Sequence, residues 1–253
     1  MRIGIPAALK WVHRTAESES ALWQVTEPAW GPTWGISVGG GPSRAHPGLY
    51  NLNIEPGPDV EILGDACALP IRSGSVPLVH CEAVLEHLEH PDAAVREMHR
   101  VLRPGGEVFA ATPFLQAFHG FPGHFQNFTL EGHRRLFLRG GFEVLDSGVS
   151  VGPVAAITEL IAVAVRELLP TRILSRSAEA FVRLVLFPLR ALDRVAAGHP
   201  RAHMTASTTF VRARKRPGPA TEPLAEPSPP AARLLQSGGC PPSPPSRSSS
   251  TSS

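Results

Sequence analysis

A series of short apolar runs, separated by glycine and proline from residue 35 onward, most constrains the fold of this chain. Short apolar runs bounded by turn residues are typical of strands in a buried sheet. The runs cover residues 35–38, 49–54, 60–64, 78–82, 106–112, 142–149 and 207–212. Seven strands alternating with helical segments predict an α/β fold built on a doubly wound, mostly parallel seven-stranded sheet.

The clearest helix begins at Pro91, a residue that fits a first helical turn, and extends to Leu102. An Arg-Pro-Gly-Gly sequence ends it, because proline cannot continue a helix and glycine allows the chain to reverse. Further helices are predicted over residues 7–14, 130–138, 154–169 and 178–195, with Pro188 kinking or dividing the last. Residues 153–197 therefore form a helical insertion before the last strand, which we expect to cap the sheet or a pocket.

The composition predicts one folded domain between two further segments. With 253 residues, 42% of them hydrophobic, the chain can bury a core, and disorder throughout is excluded. We expect a lead-in segment over residues 1–34, a single domain over 35–216, and a disordered Pro/Ser-rich tail over 217–253. The net charge of +2 combines a surplus of four positive charges in residues 211–253 with a net charge of −2 over the other 210 residues, which argues against an obligate nucleic-acid partner.

The three cysteines have no CxxC spacing, which argues against a disulfide framework or a Cys-rich zinc site and favours a reducing, cytoplasmic location. The amino terminus lacks the pattern of a secretory signal. No uncharged apolar run is long enough to predict a membrane span. The apolar face of residues 154–195 is expected to be a packed cap or a dimer surface, with peripheral membrane contact as the alternative. The oligomeric state stays open.

Polar residues occur where several predicted strands end. The first strand breaks into three glycines at Gly39, which allow backbone N–H groups to approach a ligand closely. Asn53 and Glu55 follow the second strand, Asp65 follows the third, and Glu82 ends the fourth. Acids at these ends can accept hydrogen bonds from ribose hydroxyls and an adenine amino group. The alternatives are an ordinary turn for the glycines and turn-capping roles for the acids.

The sequences GISVGGGP, YNLNIEP, VEILGDACALPI and VHCEAVLEHLEHPDAAVREMHRVLRPGG follow one another in this order. They resemble class I methyltransferases that use S-adenosylmethionine, with a methyltransferase type 11-like domain. The resemblance covers residues 35–150 and, less clearly, the last strand. It implies a Rossmann-like methyltransferase fold, S-adenosyl-L-methionine as cofactor, and transfer of a methyl group to an O, N or C nucleophile of a small or medium-sized acceptor.

The resemblance also implies a cofactor role for residues on four strand ends. Gly39 and Gly41 would line the methionine part, Asn53 or Glu55 would face the ribose, Asp65 with Ala66 and Cys67 would lie at the adenine, and Glu82 with Ala83 would form the floor beneath the sulfonium. The methyl group on a sulfonium is already activated, so the family aligns a nucleophile with it and needs no fixed catalytic residue.

Three positions depart from the resemblance. Similar sequences usually carry an acid where Ser37 stands and aspartates where Asn53 and Pro77 stand. An amide accepts hydrogen bonds less strongly than a carboxylate, although Glu55 could compensate, because it lies two residues further on and therefore on the same side of the strand. A second hypothesis is therefore a catalytically silent methyltransferase-like protein that serves as a binding or scaffolding partner. A nucleotide-sugar or NAD enzyme is disfavoured, because there is no GxGxxG and no room for a first helix.

The aromatic-rich loop over residues 112–129 resembles a segment of one methyltransferase subgroup. It could close over a substrate, with His119 as the candidate general base because the ordinary pKa of histidine lies near neutrality. The alternative is that His119 caps a turn. Glu86, His87, His90 and His99 occur close together in sequence, but they form no HExxH motif and have no cysteine nearby, so we expect no metal site.

Overall fold

The computed structural model describes residues 34–41, 48–120 and 123–216. Their strands are β1 (Gly35–Val38), β2 (Leu49–Asn53), β3 (Ile62–Leu63), β4 (Val76–Glu82), β5 (Leu102–Pro113), β6 (Phe142–Val151) and β7 (Thr208–Lys215). They form one sheet in the order β3-β2-β1-β4-β5-β7-β6, in which β7 is antiparallel to both of its neighbours. The predicted α/β fold with a mostly parallel seven-stranded sheet is confirmed. The expectations for residues 7–14 and for the tail 217–253 lie outside the described residues.

The helices are α1 (Pro91–Val101), α2 (Leu130–Arg139), α3 (Pro153–Leu168), α4 (Arg172–Leu186) and α5 (Asp193–Ala196), with 3-10 helices at Leu85–His87, Phe187–Leu192 and Ala202–Met204. The predicted division at Pro188 is confirmed, since α4 gives way there to a 3-10 helix. Helix α4 begins six residues earlier than predicted, because Thr171 caps it by accepting the Leu174 N–H. No helix in the described part of the chain is long and apolar enough to cross a membrane.

The main core lies on one face of the sheet, under α1 and α2. Alternate residues of the central strands face these helices, as the two-residue period of a strand requires. The buried strand residues are Ile36, Val38, Val79, Cys81, Val108 and Ala110, and the helices contribute Val95, Met98, Leu136 and Phe137. This face therefore supplies most of the apolar burial that holds the strands in place.

The opposite face carries a buried polar row across three adjacent strands. Asn51, Ser37 and His80 are register partners on β2, β1 and β4, and each is at most 3% exposed. The Ser37 hydroxyl lies 3.1 Å from His80 Nδ1, and the His80 ring stacks on Phe109. A buried polar group is costly unless it is hydrogen-bonded, so this row penalises a slip in the register of these strands. Ser37, a departure from the family pattern, is thus paired within the sheet.

Pro77, another departure, lies inside β4. Proline has no N–H to donate, and the β4–β5 register shifts between Val76 and Leu78. The irregularity is at the amino-terminal end of the strand. The carboxyl-terminal end, from Leu78 to Glu82, pairs regularly with β5.

Basic residues near the end of the domain are held by the sheet. On β7, Arg212 and Arg214 lie 2.8 and 2.7 Å from the Glu107 carboxylate of β5. The Lys215 ammonium donates to the carbonyl oxygens of His99 and Leu102. These charges stabilise the pairing of the last strand instead of forming a free basic patch.

His133 of α2 gives the fold a measurable dependence on pH. Its side chain is fully buried, Nδ1 lies 3.2 Å from the Thr209 hydroxyl, and burial lowers its pKa from 6.5 to about 3. The unfolded chain therefore binds a proton that the folded chain excludes, and stability falls as the pH drops below the unfolded value. We expect this residue to cost about 1.4 kcal/mol of unfolding free energy per pH unit below about pH 6.5.

This cost is measured by urea unfolding of wild type and His133→Gln from pH 7.5 to pH 4.5. It equals the difference between the two proteins in the slope of unfolding free energy against pH. The exposed His203→Gln variant is the matched control, and it should follow the wild type. Parallel stability curves for wild type and His133→Gln would contradict the assignment of a neutral buried histidine.

Candidate functional site

The carboxyl ends of β3, β2, β1 and β4 lie side by side at one edge of the sheet. The chain moves outward from β1 to β3 in one direction and from β4 to β5 in the other, so a crevice opens between β1 and β4. The sequence-predicted residues follow the same spatial order: Asp65 after β3, Asn53 on β2, Gly39 and Gly41 after β1, and Glu82 on β4. The structure therefore brings these candidates to a common edge.

The glycine loop after β1 requires glycine for two reasons. Gly39 and Gly41 have φ values of +68° and +72°, which other residues rarely adopt. The Gly39 N–H donates to the Leu52 carbonyl over 2.7 Å, and a Cβ at this position would collide with the Val84 side chain. The loop is thus packed against the segment that follows β4.

Asn51 supports this loop from below, and sequence reasoning missed it. Its side-chain amide donates to the Gly41 carbonyl over 2.9 Å, while its buried Oδ1 has no hydrogen-bond partner in the part of the chain that the structure describes. We had considered Asn53 and Glu55 because they are closer to the strand end. The alternation of the strand could have indicated Asn51, because it places that residue beside Ser37, below the loop.

Asn53 and Glu55, the two candidates for contact with the ribose, lie in different local structures. Asn53 ends β2, is half-buried, and its Oδ1 accepts the Ile54 N–H over 2.7 Å. Glu55 is exposed and lies in a bend beyond the strand. The alternation on which compensation by Glu55 depends therefore stops at Asn53.

Asp65 shapes the turn that follows β3. Its Oδ1 accepts the Cys67 N–H over 2.8 Å, and its carbonyl accepts the Ala68 N–H. Ala66 is buried beneath this turn, and burial together with Asp65 raises the pKa of the half-buried Cys67 thiol. One carboxylate oxygen thus has the turn-capping role that we considered. The other has no hydrogen-bond partner in the described part of the chain.

The end of β4 contains a strained residue. Glu82 is half-buried, and its Oε2 lies 3.6 Å from His80 Nε2. Ala83, the next residue, has a φ of +54°, and its N–H donates to the Ala111 carbonyl. A left-handed alanine costs about 1 kcal/mol or more, and such residues cluster at functional sites. The left-handed conformation of Ala83 turns the chain sharply at the β1–β4 crevice.

A cluster of one carboxylate and two imidazoles lies beside this edge. Glu86 is fully buried; its Oε2 accepts the Thr112 hydroxyl over 3.2 Å, and its Oε1 has no hydrogen-bond partner among the described residues. His87 Nε2 and His119 Nε2 lie 3.8 and 4.0 Å from Oε1. Burial raises the pKa of Glu86. His119 is 41% exposed and is therefore accessible from solvent.

The loop that carries His119 is tied to this cluster by its backbone. The Phe125 N–H donates to the Glu86 carbonyl over 2.8 Å, and the Gln126 side chain donates to the Leu88 carbonyl over 2.7 Å. The His119 Nδ1 lies 3.0 Å from the Ala117 carbonyl, which is the local turn contact that we considered as the alternative. Both the turn contact and the approach to Glu86 are present.

The strand order, the antiparallel β7 and the glycine loop at the β1–β4 crevice define the Rossmann-like methyltransferase fold. Residues 50–110 match a family model described as a methyltransferase domain. The solved structure of a protein assigned as a sarcosine dimethylglycine methyltransferase from Galdieria sulphuraria is similar, with a TM-score of 0.50 and 14% identity over 83% of this chain and 86% of that one.

Two curated relatives carry the same class of name. An uncharacterized chloroplastic methyltransferase of Arabidopsis thaliana is 50% identical over 22% of this chain and 16% of its own length. An uncharacterized methyltransferase of Mycobacterium sp. (strain JLS) is 34% identical over 42% of this chain and 50% of its own length. The matches thus span no more than half the length of these relatives. Residues 50–110 are thus similar to a methyltransferase domain family, and the described part of the chain has the Rossmann-like methyltransferase fold.

The two glycines provide a matched test of the loop geometry. Both Gly39→Ala and Gly41→Ala place alanine at a positive φ, which costs about 1 to 2 kcal/mol. Only the Gly39→Ala methyl group would meet Val84, whereas no described residue lies within 4 Å of the position that the Gly41→Ala methyl group would take. We expect Gly39→Ala to lose about 1 kcal/mol or more of unfolding free energy beyond Gly41→Ala, measured by urea unfolding. In a protein that also carries Val84→Ala, the excess loss of Gly39→Ala over Gly41→Ala should disappear. The same excess loss with and without Val84→Ala would contradict the described packing of the loop against Val84.

Proposed function

We propose that this chain transfers a methyl group from S-adenosyl-L-methionine to an O, N or C nucleophile of a small or medium-sized acceptor. The observation that carries the proposal is the alignment of a glycine loop and three polar strand ends along the β3-β2-β1-β4 edge. The cofactor supplies an electrophilic methyl group, so the remaining requirement is alignment of the two reactants. A cytoplasmic location is part of the proposal, since both described cysteines are free thiols.

The residues present fit this cofactor. The absence of Cβ atoms in the glycine loop allows close approach of the methionine part, and Asn51 holds the loop. The free oxygen of Asp65 would accept from the adenine amino group, beside Ala66 and the Cys67 backbone. The Asn53 amide would contact the ribose, and Glu55 is a less direct candidate for that contact because it lies beyond the strand. Glu82 would form the floor under the sulfonium.

We propose His119 as the residue on the acceptor side. A carbonyl oxygen only accepts hydrogen bonds, so the contact with Ala117 places the imidazole proton on Nδ1 and leaves a lone pair on Nε2. In the absence of a bound cation, Nε2 would take the proton that the acceptor loses on methylation and return it to water. The methyl group would leave the sulfonium at the same time, giving S-adenosylhomocysteine.

The second function is a silent methyltransferase-like scaffold. Asn53 in place of a carboxylate favours it, because a neutral acceptor binds a ribose hydroxyl less strongly. Ser37, which pairs with His80 within the sheet, offers no acid to the cofactor either. Cofactor binding separates the two functions, since a scaffold of this kind need not bind it.

Titration calorimetry of the full chain with S-adenosylmethionine and S-adenosylhomocysteine tests the proposal. We expect Asp65→Ala to weaken binding by about 1 to 3 kcal/mol, roughly 5- to 150-fold, because a buried adenine hydrogen bond is lost. Asp65→Asn keeps an acceptor for the Cys67 N–H but presents a donor to the adenine amino group, so it should also weaken binding without loss of the turn. The exposed Asp59→Ala is the matched control. No binding of either compound at millimolar concentration by a folded sample would favour the scaffold.

The helical insertion has an unusual distribution of polarity. The contact between α3 and α4 is polar: Arg183 forms two hydrogen bonds of 2.5 and 2.6 Å with Glu159 and one of 2.9 Å with Glu179. Arg190 adds a contact of 3.2 Å with Glu159. The two helices pack chiefly against each other and against residues 187–196, so they extend from the sheet more than they cap it.

The apolar side chains of these helices face outward. Ile157, Ile161 and Leu168 form a stripe on α3, and α4 exposes Ile173, Leu174, Phe181, Leu184 and Val185. Exposed arginines accompany them at positions 172, 176, 194 and 201, and none of these forms an ion pair with another described residue. We propose that this face contacts an anionic lipid surface, because a lipid surface takes up apolar side chains and an anionic one attracts unpaired arginines.

Sedimentation with phosphatidylglycerol vesicles tests this contact. Wild type should bind, and the double variant Phe181→Ser/Leu184→Ser should lose about 10-fold or more in partitioning because two large apolar groups no longer enter the interface. The control is Ile54→Ser, which removes an exposed isoleucine outside the insertion. Absence of binding would overturn the proposal. Light scattering could instead show that the molecular mass doubles as the protein concentration rises and that the double variant stays monomeric. That result would assign the face to contact with a second copy of this chain.

A further inference from the structure

The cluster at Glu86 is organised around a buried carboxylate oxygen. Glu86 lies in the 3-10 helix Leu85–His87, its side chain is fully buried, and the Thr112 hydroxyl donates only to Oε2. The second oxygen, Oε1, is buried and receives no hydrogen bond from residues 34–41, 48–120 and 123–216. A buried unsatisfied carboxylate oxygen is costly, so its presence calls for a ligand.

Both neighbouring imidazoles are oriented by their other nitrogen. His87 Nδ1 contacts the Gly123 carbonyl, and His119 Nδ1 lies 3.0 Å from the Ala117 carbonyl. Since carbonyl oxygens only accept, each Nδ1 carries the proton and each Nε2 presents a lone pair. Metal-binding histidines are oriented by the same kind of contact, in which the second nitrogen donates to a carbonyl or carboxylate.

Three groups that can ligate a metal therefore converge. One ligand atom from each of Glu86, His87 and His119 lies within 4.8 Å of the other two, and His87 Nε2 and His119 Nε2 lie 3.8 and 4.0 Å from Glu86 Oε1. These separations are too long for hydrogen bonds and short enough for the groups to share a central cation. Ligands of a tetrahedral zinc ion lie about 3.3 Å apart, given bonds of about 2.0 to 2.1 Å, so the two separations from Oε1 need to shorten by about 0.5 to 0.7 Å.

We propose that Glu86, His87 and His119 bind a divalent cation of the zinc type. Two imidazoles and one carboxylate are a ligand set that zinc uses with a fourth position open to water or substrate. The spacing of a HExxH motif is not needed, because the chain turn at Leu85–His87 supplies two ligands and the loop after β5 supplies the third. The expectation of no metal, drawn from residues close together in sequence, did not consider His119.

The site narrows the proposed function, on which this step rests, to acceptors with an oxygen nucleophile. The cluster lies beside Glu82 and Ala83, on the adjoining ends of β4 and β5. An acceptor hydroxyl bound at the open position would have a lowered pKa and would lose its proton to water. The oxygen would then take the methyl group from the sulfonium, which leaves as S-adenosylhomocysteine. His119 would act as a ligand instead of a free base.

Metal binding is tested on the full chain with zinc alone. Equilibrium dialysis and calorimetry should give one zinc per chain, and binding should raise the unfolding temperature by mass action. Glu86→Gln keeps the shape and the Thr112 contact, while His119→Gln changes a residue in an exposed loop. Each should weaken zinc binding by about 100-fold or more, beyond the 10- to 100-fold typical of residues that only orient ligands. Cobalt in place of zinc should give visible absorption that each variant removes.

The matched control is His203→Gln, which removes an exposed imidazole outside the cluster and should keep the zinc affinity. The thermal shift with zinc keeps the test informative if Glu86→Gln is unstable, because the His119→Gln variant should fold normally and yet show no shift. Equal zinc affinity in wild type, Glu86→Gln and His119→Gln, or no binding at one equivalent, would overturn the site. Zinc binding without S-adenosylmethionine binding would retain the metal site and reject the transfer function.

Discussion

The pairing of β1 with β2 on one side and with β4 on the other is the contact on which the rest of the structure depends. This pairing brings the carboxyl ends of β2, β1 and β4 to the same edge of the sheet. The chain moves outward from β1 in one direction and from β4 in the other, so a crevice opens between these two strands. Apolar packing under α1 and α2 holds one face of these strands. On the other face, the row of Asn51, Ser37 and His80 ties the register to hydrogen bonds that a slipped strand would lose.

The sequence predicted the elements well because their signals are local. Pro91 at a first helical turn, the glycines after β1, and the alternation of turn residues with apolar runs each act within a few residues. All seven strands occur at the expected places, and β1 has the predicted bounds. The start of α4 was misplaced because a capping threonine at position 171 is a weaker signal than the later apolar stripe.

The parts that could not be predicted depend on contacts between distant residues. His119 approaches Glu86 only because the loop after β5 is tied to the segment that follows β4, and no spacing rule covers a ligand set divided in this way. Strand alternation indicates that Asn51 is buried beside Ser37, but its contact with the Gly41 carbonyl follows only from the fold of the glycine loop. Likewise, the polar contact between α3 and α4 appears only when Glu159 and Arg183 are paired, because each helix alone has an ordinary amphipathic pattern.

The position of β7 imposes an order of assembly on the sheet. Strand β6 is made before β7, yet in the described sheet its only neighbour is β7, which also covers the edge of β5. During synthesis, β6 therefore has no strand to pair with until the whole insertion and then β7 have been produced. The sheet is completed only when β7 inserts between the exposed edges of β5 and β6. The insertion thus emerges from the ribosome while the sheet is still incomplete, and its outward apolar face is exposed before the last strand is in place.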